Sequence, residues 1–229
     1  MILERSTHDP LSEFLRYLAQ NREAEQGLPA LSQLSQELGV SISTLREQLE
    51  VARALGLVEV RPRTGIRRLP YTFTPSVRQS LEYALRIDGS YFHKYAELRN
   101  HVEAAFWHEA VALLSAEDKQ ELSELVASAN AKLHGNPIQV PHAEHRKFHL
   151  SIFRRLENPF VLGLLEAYWD AYEAVGLNVF TGGLKYLEGV WDYHARMVEA
   201  ICKHDYEAGY QALIQHADLL YQRSKSKSP

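Results

Sequence analysis

The stretch LPALSQLSQELGVSISTLREQLEVARALGLVEVRPRTGIRR, residues 28–68, decides how the chain is read. Within it Leu31, Leu34 and Leu38 recur three or four apart, the spacing that lines one face of a short helix, and Gly39 stands where such a helix ends in the left-handed conformation. A second helical pattern over 43–55 turns Leu45, Leu49, Ala52 and Leu55 inward, with Thr44 and Glu47 at capping-box spacing. A β-type run from Gly56 to Val60 then leads into Arg61-Pro-Arg-Thr-Gly-Ile-Arg-Arg68, four arginines around a glycine that can turn two short strands. Helix, tight turn, helix and basic hairpin, in that order, predict a winged helix-turn-helix. The second helix would be the reading helix, the hairpin the wing, and double-stranded DNA the partner.

Upstream, residues 10–25 carry Leu11, Phe14, Leu15 and Leu18 on one helical face and supply the third helix such a core needs. Downstream, Leu69-Pro-Tyr-Thr-Phe-Thr-Pro75 holds two prolines that interrupt helix and sheet alike. The predicted organisation is a DNA-binding domain over 1–70, a linker over 71–76 and an all-helical domain over 77–229. In that last part strand signal is scarce, and amphipathic patterns run over about 77–114, 117–133, 140–156, 159–178, 184–203 and 206–223. Short connections make such neighbours antiparallel. The fold class is therefore mainly α: an N-terminal winged helix-turn-helix and a C-terminal antiparallel bundle of six to seven helices. Ser115 with Asp118, Asn158 with Pro159, and Asp205 mark helix starts.

The net charge of −4 looks wrong for a DNA partner, but residues 1–76 hold nine Arg, no Lys and nine acidic residues, so the excess acid lies downstream. Affinity for phosphate follows local charge, so the four arginines between 61 and 68 count for more than the chain total. The single cysteine, Cys202, excludes an internal disulfide. No run approaches a membrane span and the first residues lack a signal-peptide core, so the expected location is cytoplasmic with no membrane partner.

The histidines form the second informative pattern. His145 and His149 stand four apart, on one helical face with Ile152 and Leu156. With Asp205 as the turn between two antiparallel helices, His194 and His216 each lie 11 residues from it and should sit level across the hairpin. His194 falls in a stripe with Leu187, Trp191, Val198 and Ile201, and His216 in one with Tyr206, Leu213 and Leu220, so all four point inward. A buried imidazole without a partner costs about 1–3 kcal/mol. One divalent metal ion would satisfy all four; hydrogen bonds to Tyr, Glu or water are the alternative. His142 is the additional candidate ligand, and Tyr168, Trp169 and Tyr172 line one side of a helix that could wall a cavity.

Taken as an ordered set, these residues resemble the GntR family of bacterial transcription regulators, in its FadR-like subfamily with an all-helical effector-binding (FCD) domain. In the head the resemblance runs through Leu28-Pro29, Leu38-Gly39-Val40-Ser41, Leu45-Arg46-Glu47, Gly56-Leu57-Val58 and Arg61-Pro62-Arg63-Thr64-Gly65. In the body it runs through Glu97-Leu98-Arg99 with Glu103, Phe148-His149, Asn158-Pro159, His194 and His216. It implies DNA contacts from Ser41, Ser43, Thr44 and Arg46 on the reading helix and from Arg61, Arg63, Gly65 and Arg67 on the wing. It also implies that Arg99 lies near an effector pocket, where its planar fork could grip a carboxylate. An i to i+4 ion pair with Glu103 is the competing role for Arg99.

The departures from that pattern carry information. Ala30-Leu31-Ser32 and Ile42-Ser43-Thr44 stand where the family usually places triplets that include arginine, which predicts weaker binding or an unusual operator. FCD domains commonly hold a divalent metal with one Asp and three His, and His145 occupies the place of the Asp. A set of His145, His149, His194 and His216 suits zinc or nickel.

The function expected from sequence is a homodimeric transcriptional regulator that answers to a small carboxylic acid bound near a metal site. A metal-dependent enzyme built on the four-histidine cluster is the second class, with Glu144 and Glu166 as its only candidate carboxylates. No zincin motif, glycine-rich phosphate loop or Gly-x-Ser-x-Gly elbow supports catalysis, so no catalytic residue is assigned. A regulator lacking both metal and effector is the third.

Overall fold

Ser12 opens the first helix, α1 (Glu13–Gln20): its hydroxyl accepts from Leu15 N at 3.3 Å. The computed structural model describes residues 10–21, 27–62, 65–176 and 183–225. They divide into two compact units, Met1–Gln79 and Ser80–Pro229.

In the first unit, α2 (Leu31–Leu38) ends at Gly39, whose φ of 68° is the left-handed cap its position predicts. The next helix, α3 (Ile42–Ala54), starts one residue earlier than the 43–55 pattern indicates. Its cap is Ser41, which accepts from Thr44 N at 3.1 Å, and not a box built on Thr44 and Glu47. The turn at Gly39 delivers Ser41 to the helix mouth first. Strands β1 (Val58–Arg61) and β2 (Gly65–Arg68) pair antiparallel, Val58 opposite Arg68 and Arg61 opposite Gly65. Leu28 N adds a hydrogen bond to Ile66 O at 2.8 Å. Phe14, Leu18, Leu28, Leu34, Leu45, Leu49, Ala52, Val58 and Ile66 close one core, which makes this unit a winged helix-turn-helix.

Helix α4 (Thr74–Ile87) starts inside the 71–76 stretch, with Pro75 in its first turn, where a missing N–H goes unnoticed. The division between the two units falls within it. The single helix expected over 77–114 is broken: Asp88 accepts from Ser90 N at 2.8 Å and Ser90 Oγ at 2.7 Å, and α5 (Tyr91–Ala112) begins afresh. Helical periodicity continues through Asp88-Gly89-Ser90, which is why the break is silent in the pattern. Then follow α6 (Ala116–Leu133), α7 (His142–Phe153), α8 (Pro159–Ala171) with a π-helical turn over Tyr172–Gly176, α9 (Leu184–Cys202) and α10 (Tyr206–Lys225).

Several ends are written in the sequence. Ser115 and Asp118 form a complete capping box on α6, and Asn158 caps α8 ahead of Pro159. Asp118, 1% exposed, also takes Arg155 Nε at 2.7 Å and pairs with Arg154; those charges hold its carboxyl well below the usual range. The α9–α10 turn is a Schellman motif with His204 in the left-handed position, Asp205 N bonding Ala200 O at 2.9 Å. Among the described residues no helix is long and apolar enough to cross a membrane.

The core of the second unit gathers Trp107, Leu122, Phe148, Ile152, Leu165, Met197, Ile201 and Leu213 from α5 to α10. Trp107 is fully buried and its indole N–H donates to Tyr206 O at 2.9 Å. A Cβ on Gly209 of α10 would lie 2.7 Å from Trp107 Cζ2. Gly209→Ala is therefore expected to destabilise the unit by about 1–3 kcal/mol despite the better helix propensity of alanine, measured by urea unfolding.

Candidate functional site

Three helices bring four histidines to one point. On α7, His145 and His149 face inward one turn apart; α9 supplies His194 and α10 supplies His216. The hairpin symmetry about Asp205 is realised in space, with the His194 and His216 rings 4.5 Å apart. The His149 ring lies 5.1 Å from that of His194 and 5.2 Å from that of His216, and the His145 ring lies 4.9 Å from that of His194. One ligand nitrogen from each of the four lies within 4.8 Å of the others, and the Nε2 atoms of His149 and His194 approach to 3.1 Å. His149, His194 and His216 are fully buried and His145 is 8% exposed.

Burial is the main reason that all four imidazoles hold their protons far less readily than a free histidine. The neighbouring rings and the Arg99 guanidinium push in the same direction, while Glu103 opposes this at His216. The cluster is therefore neutral at physiological pH, with lone pairs exposed to one another. His145 Nε2, His149 Nδ1, His194 Nδ1 and both nitrogens of His216 are buried without a hydrogen-bond partner, as are both carboxylate oxygens of Glu103. The rings are walled by aromatics: Trp169 lies 4.8 Å from His145, Phe148 4.5 Å from His194 and Trp191 4.6 Å from His194.

Beside the cluster sits a buried ion pair. Arg99 Nε is 2.9 Å from Glu103 Oε1, with both side chains almost wholly enclosed, so the i to i+4 partnership of the sequence is present. Glu103 Oε1 is also 3.2 Å from His149 Nδ1. Arg99 stacks 4.9 Å from the Tyr168 ring and 5.3 Å from the Trp169 ring, gives Nη1 to Asn100 Oδ1 at 3.1 Å, and keeps Nη2 buried and unbonded. Tyr168, Trp169 and Tyr172 pack with Phe92 and Leu81 as a hydrophobic core cluster beside this place. No spacing in the sequence links Glu103 to the histidines. Its spacing to Arg99 was visible, but the crossing of α5 over α7 was not.

His142 stands apart from the four-nitrogen group, half-buried, its ring 6.5 Å from Tyr172. Glu144 faces away, held by Lys132 Nζ at 2.6 Å and Ser128 Oγ at 3.1 Å.

On the first unit, Ser41, Ser43, Thr44 and Arg46 are all exposed along the first turns of α3, and Ile42 is 40% exposed beside them. Glu50 is taken by Arg53 at 2.8 Å, not by Arg46. On the wing, Gly65 has a φ of 79°, which only glycine adopts readily there. Arg61 and Arg67 both reach Glu59, each at 3.0 Å. The strand register places Glu59 opposite Arg67, and one carboxylate pairs with two wing arginines whose side chains stay largely exposed. Arg63 lies outside the described residues.

The profile of the FCD domain matches residues 95–219, more than half of the chain, and that of the bacterial regulatory proteins of the gntR family matches residues 18–67. The chain belongs to the GntR family. This GntR protein is 25% identical over 236 residues, covering 98% of its own length and 89% of the other, to an Escherichia coli K12 protein named for regulation of the L-lactate dehydrogenase operon. It is also 25% identical over 217 residues to the HTH-type transcriptional regulator YieP of Escherichia coli K12, covering 91% and 92% of the two chains. The solved structure of a Streptococcus agalactiae GntR shares its fold, with a TM-score of 0.66 at 22% identity over 93% of this chain and 97% of that one. Family membership makes the protein a DNA-binding transcriptional regulator with an FCD domain, and not an enzyme.

FCD domains often hold a metal, and the residues of this GntR protein fit one. Ring nitrogens gathered this closely, several of them without a hydrogen-bond partner, are costly unless something positive lies between them. One ligand nitrogen from each of the four rings lies within 4.8 Å of the others, a spacing at which His145, His149, His194 and His216 could hold one ion. Neutral, nitrogen-only donors favour zinc or nickel over oxygen-seeking cations.

Proposed function

We propose that this regulator binds a palindromic operator as a homodimer in the cytoplasm. In this reading its FCD domain holds one zinc or nickel ion on His145, His149, His194 and His216 and answers to a small organic acid. The observation that carries the reading is the buried cluster of four imidazoles beside a buried arginine whose Nη2 has no hydrogen-bond partner. A bound divalent cation supplies positive charge to which an acid's carboxylate is drawn. Arg99 offers the second contact: its Nε and Nη1 are engaged by Glu103 and Asn100, so Nη2 remains to grip a carboxylate oxygen. The name of one relative points to the operon of an enzyme acting on L-lactate, so short 2-hydroxy acids head the range of effectors to test. An acid that binds one arrangement of the helical unit better than another shifts the population toward it, and the DNA affinity with it, by no more than that difference in affinity.

DNA contact in this reading comes from Ser41, Ser43, Thr44 and Arg46 on α3 and from Arg61, Arg63, Gly65 and Arg67 on the wing. With duplexes selected by the protein from random sequence, Arg46→Ala combined with Arg67→Ala is expected to weaken binding at least tenfold. It should also lower the salt-dependence slope by about two, measured by fluorescence anisotropy between 50 and 200 mM salt. Unchanged affinity and slope refute that surface. In a thermal-shift screen, short hydroxy acids are expected to stabilise the protein only before treatment with chelator; indifference to every acid and to chelator would leave a regulator without metal or effector.

A further inference from the structure

We propose that Glu103 is the positioning residue of the histidine cluster: its carboxylate takes the Nδ1–H of His149 and so turns the lone pair of Nε2 toward the metal position. The inference rests on the metal reading above and deepens it. The two nitrogens of His149 meet different neighbours. Nδ1 lies 3.2 Å from Glu103 Oε1, and Nε2 lies 3.1 Å from His194 Nε2. A neutral imidazole has one N–H and an ionised carboxylate can only accept; the 3.2 Å approach lacks hydrogen-bond geometry as it stands, and the small ring rotation that closes it puts the proton on Nδ1 and the lone pair on Nε2.

Glu103 is not itself a member of the four-nitrogen group; it reaches the edge of the ring that faces away from His194. Among the described residues it is the carboxylate within 4.0 Å of any of the four rings. It is also paired with a buried cation. Arg99 Nε sits 2.9 Å from the same oxygen, and Arg99 is fixed by Asn100 Oδ1 and by the faces of Tyr168 and Trp169. The chain Arg99, Glu103, His149 thus runs from the proposed acid-binding arginine to a ligand ring with no solvent-exposed link. A carboxylate behind a ligating imidazole fixes its tautomer and raises its basicity, and losing one typically costs 10–100-fold in metal affinity.

Two measurements decide the assignment. In chelator-treated, unsubstituted protein, long-range 1H–15N spectra of the imidazoles are expected to show His149 protonated on Nδ1; a proton on Nε2 overturns the assignment. Zinc affinity, measured by competition with a chromophoric chelator, is expected to fall at least tenfold in Glu103→Gln. Folding of that variant is checked by circular dichroism. Affinity within twofold of the unsubstituted protein, in a folded variant, also overturns it. If Glu103→Gln does not fold, the tautomer seen in the unsubstituted protein decides alone. Failure of the unsubstituted protein to take zinc at all overturns the metal reading and the ligand role of His149 with it, an outcome distinct from zinc binding that is indifferent to Glu103.

Discussion

Chelator-treated protein moved from pH 7.5 to pH 5.5 is expected to lose stability in its helical unit, by at most about 5 kcal/mol. His145, His149, His194 and His216 all hold protons less readily when folded than a free histidine does, chiefly because burial removes the solvent that would stabilise the imidazolium. The unfolded chain therefore takes up protons first. The stability these groups allow is complete above their unfolded value of about 6.5. It drains away as the pH falls below that, by up to about 1.4 kcal/mol for each imidazole and each pH unit.

Glu103 works the other way: burial raises its pKa, so above the unfolded carboxylate range its charge burdens the fold and acidification relieves it. One carboxylate facing four imidazoles reduces the effect without reversing it. Bound zinc competes with protons for the same lone pairs, so the loss should move to lower pH when the metal is present. Thermal unfolding at pH 7.5, 6.5 and 5.5, followed by the near-ultraviolet signal of Trp169 and Trp191 against the cluster, reads this directly. A melting temperature that stays level over that range would contradict a buried neutral cluster.

The second large effect concerns the metal itself. Zinc at about a thousandfold above its dissociation constant should stabilise the native protein by about 4 kcal/mol. For a chain of this size that is a rise of roughly ten degrees in melting temperature. His149→Ala combined with His194→Ala removes the two nitrogens that approach to 3.1 Å and should abolish the rise completely. The variant's own melting temperature will drop, because two fully buried rings leave cavities against Phe148, Trp169 and Trp191. The increment caused by zinc is therefore the quantity to compare. An increment that survives in the double variant places the metal elsewhere.

How much of this is legible in the sequence follows from the range of the interactions involved. The i to i+4 spacing of His145 and His149, and the equal distance of His194 and His216 from Asp205, are local geometry, and both pairs meet as that geometry requires. The winged helix-turn-helix is legible for the same reason: Gly39, the leucine spacing and the Arg-rich hairpin each act within a few residues. The helix breaks are less so. Asp88-Gly89-Ser90 interrupts a pattern whose period carries straight through, and three hydroxyl residues in four positions let Ser41, not Thr44, win the cap of α3. Glu103 against His149 joins residues 46 apart through the packing of α5 on α7, which no spacing rule reports. Likewise, the capture of Arg67 by Glu59 follows from strand register, which depends on where the turn before Gly65 falls.

The sensing role of the helical unit turns on whether the imidazole cluster is a metal centre. The direct measurement is X-ray absorption at the zinc edge on protein reconstituted after chelation, with zinc and protein quantified on the same sample. The predicted result is one zinc per chain in a nitrogen-only shell at about 2.0 Å, with the outer scattering of imidazole rings. Zinc well below one per chain, or a shell dominated by water oxygen with no imidazole scattering, would contradict it.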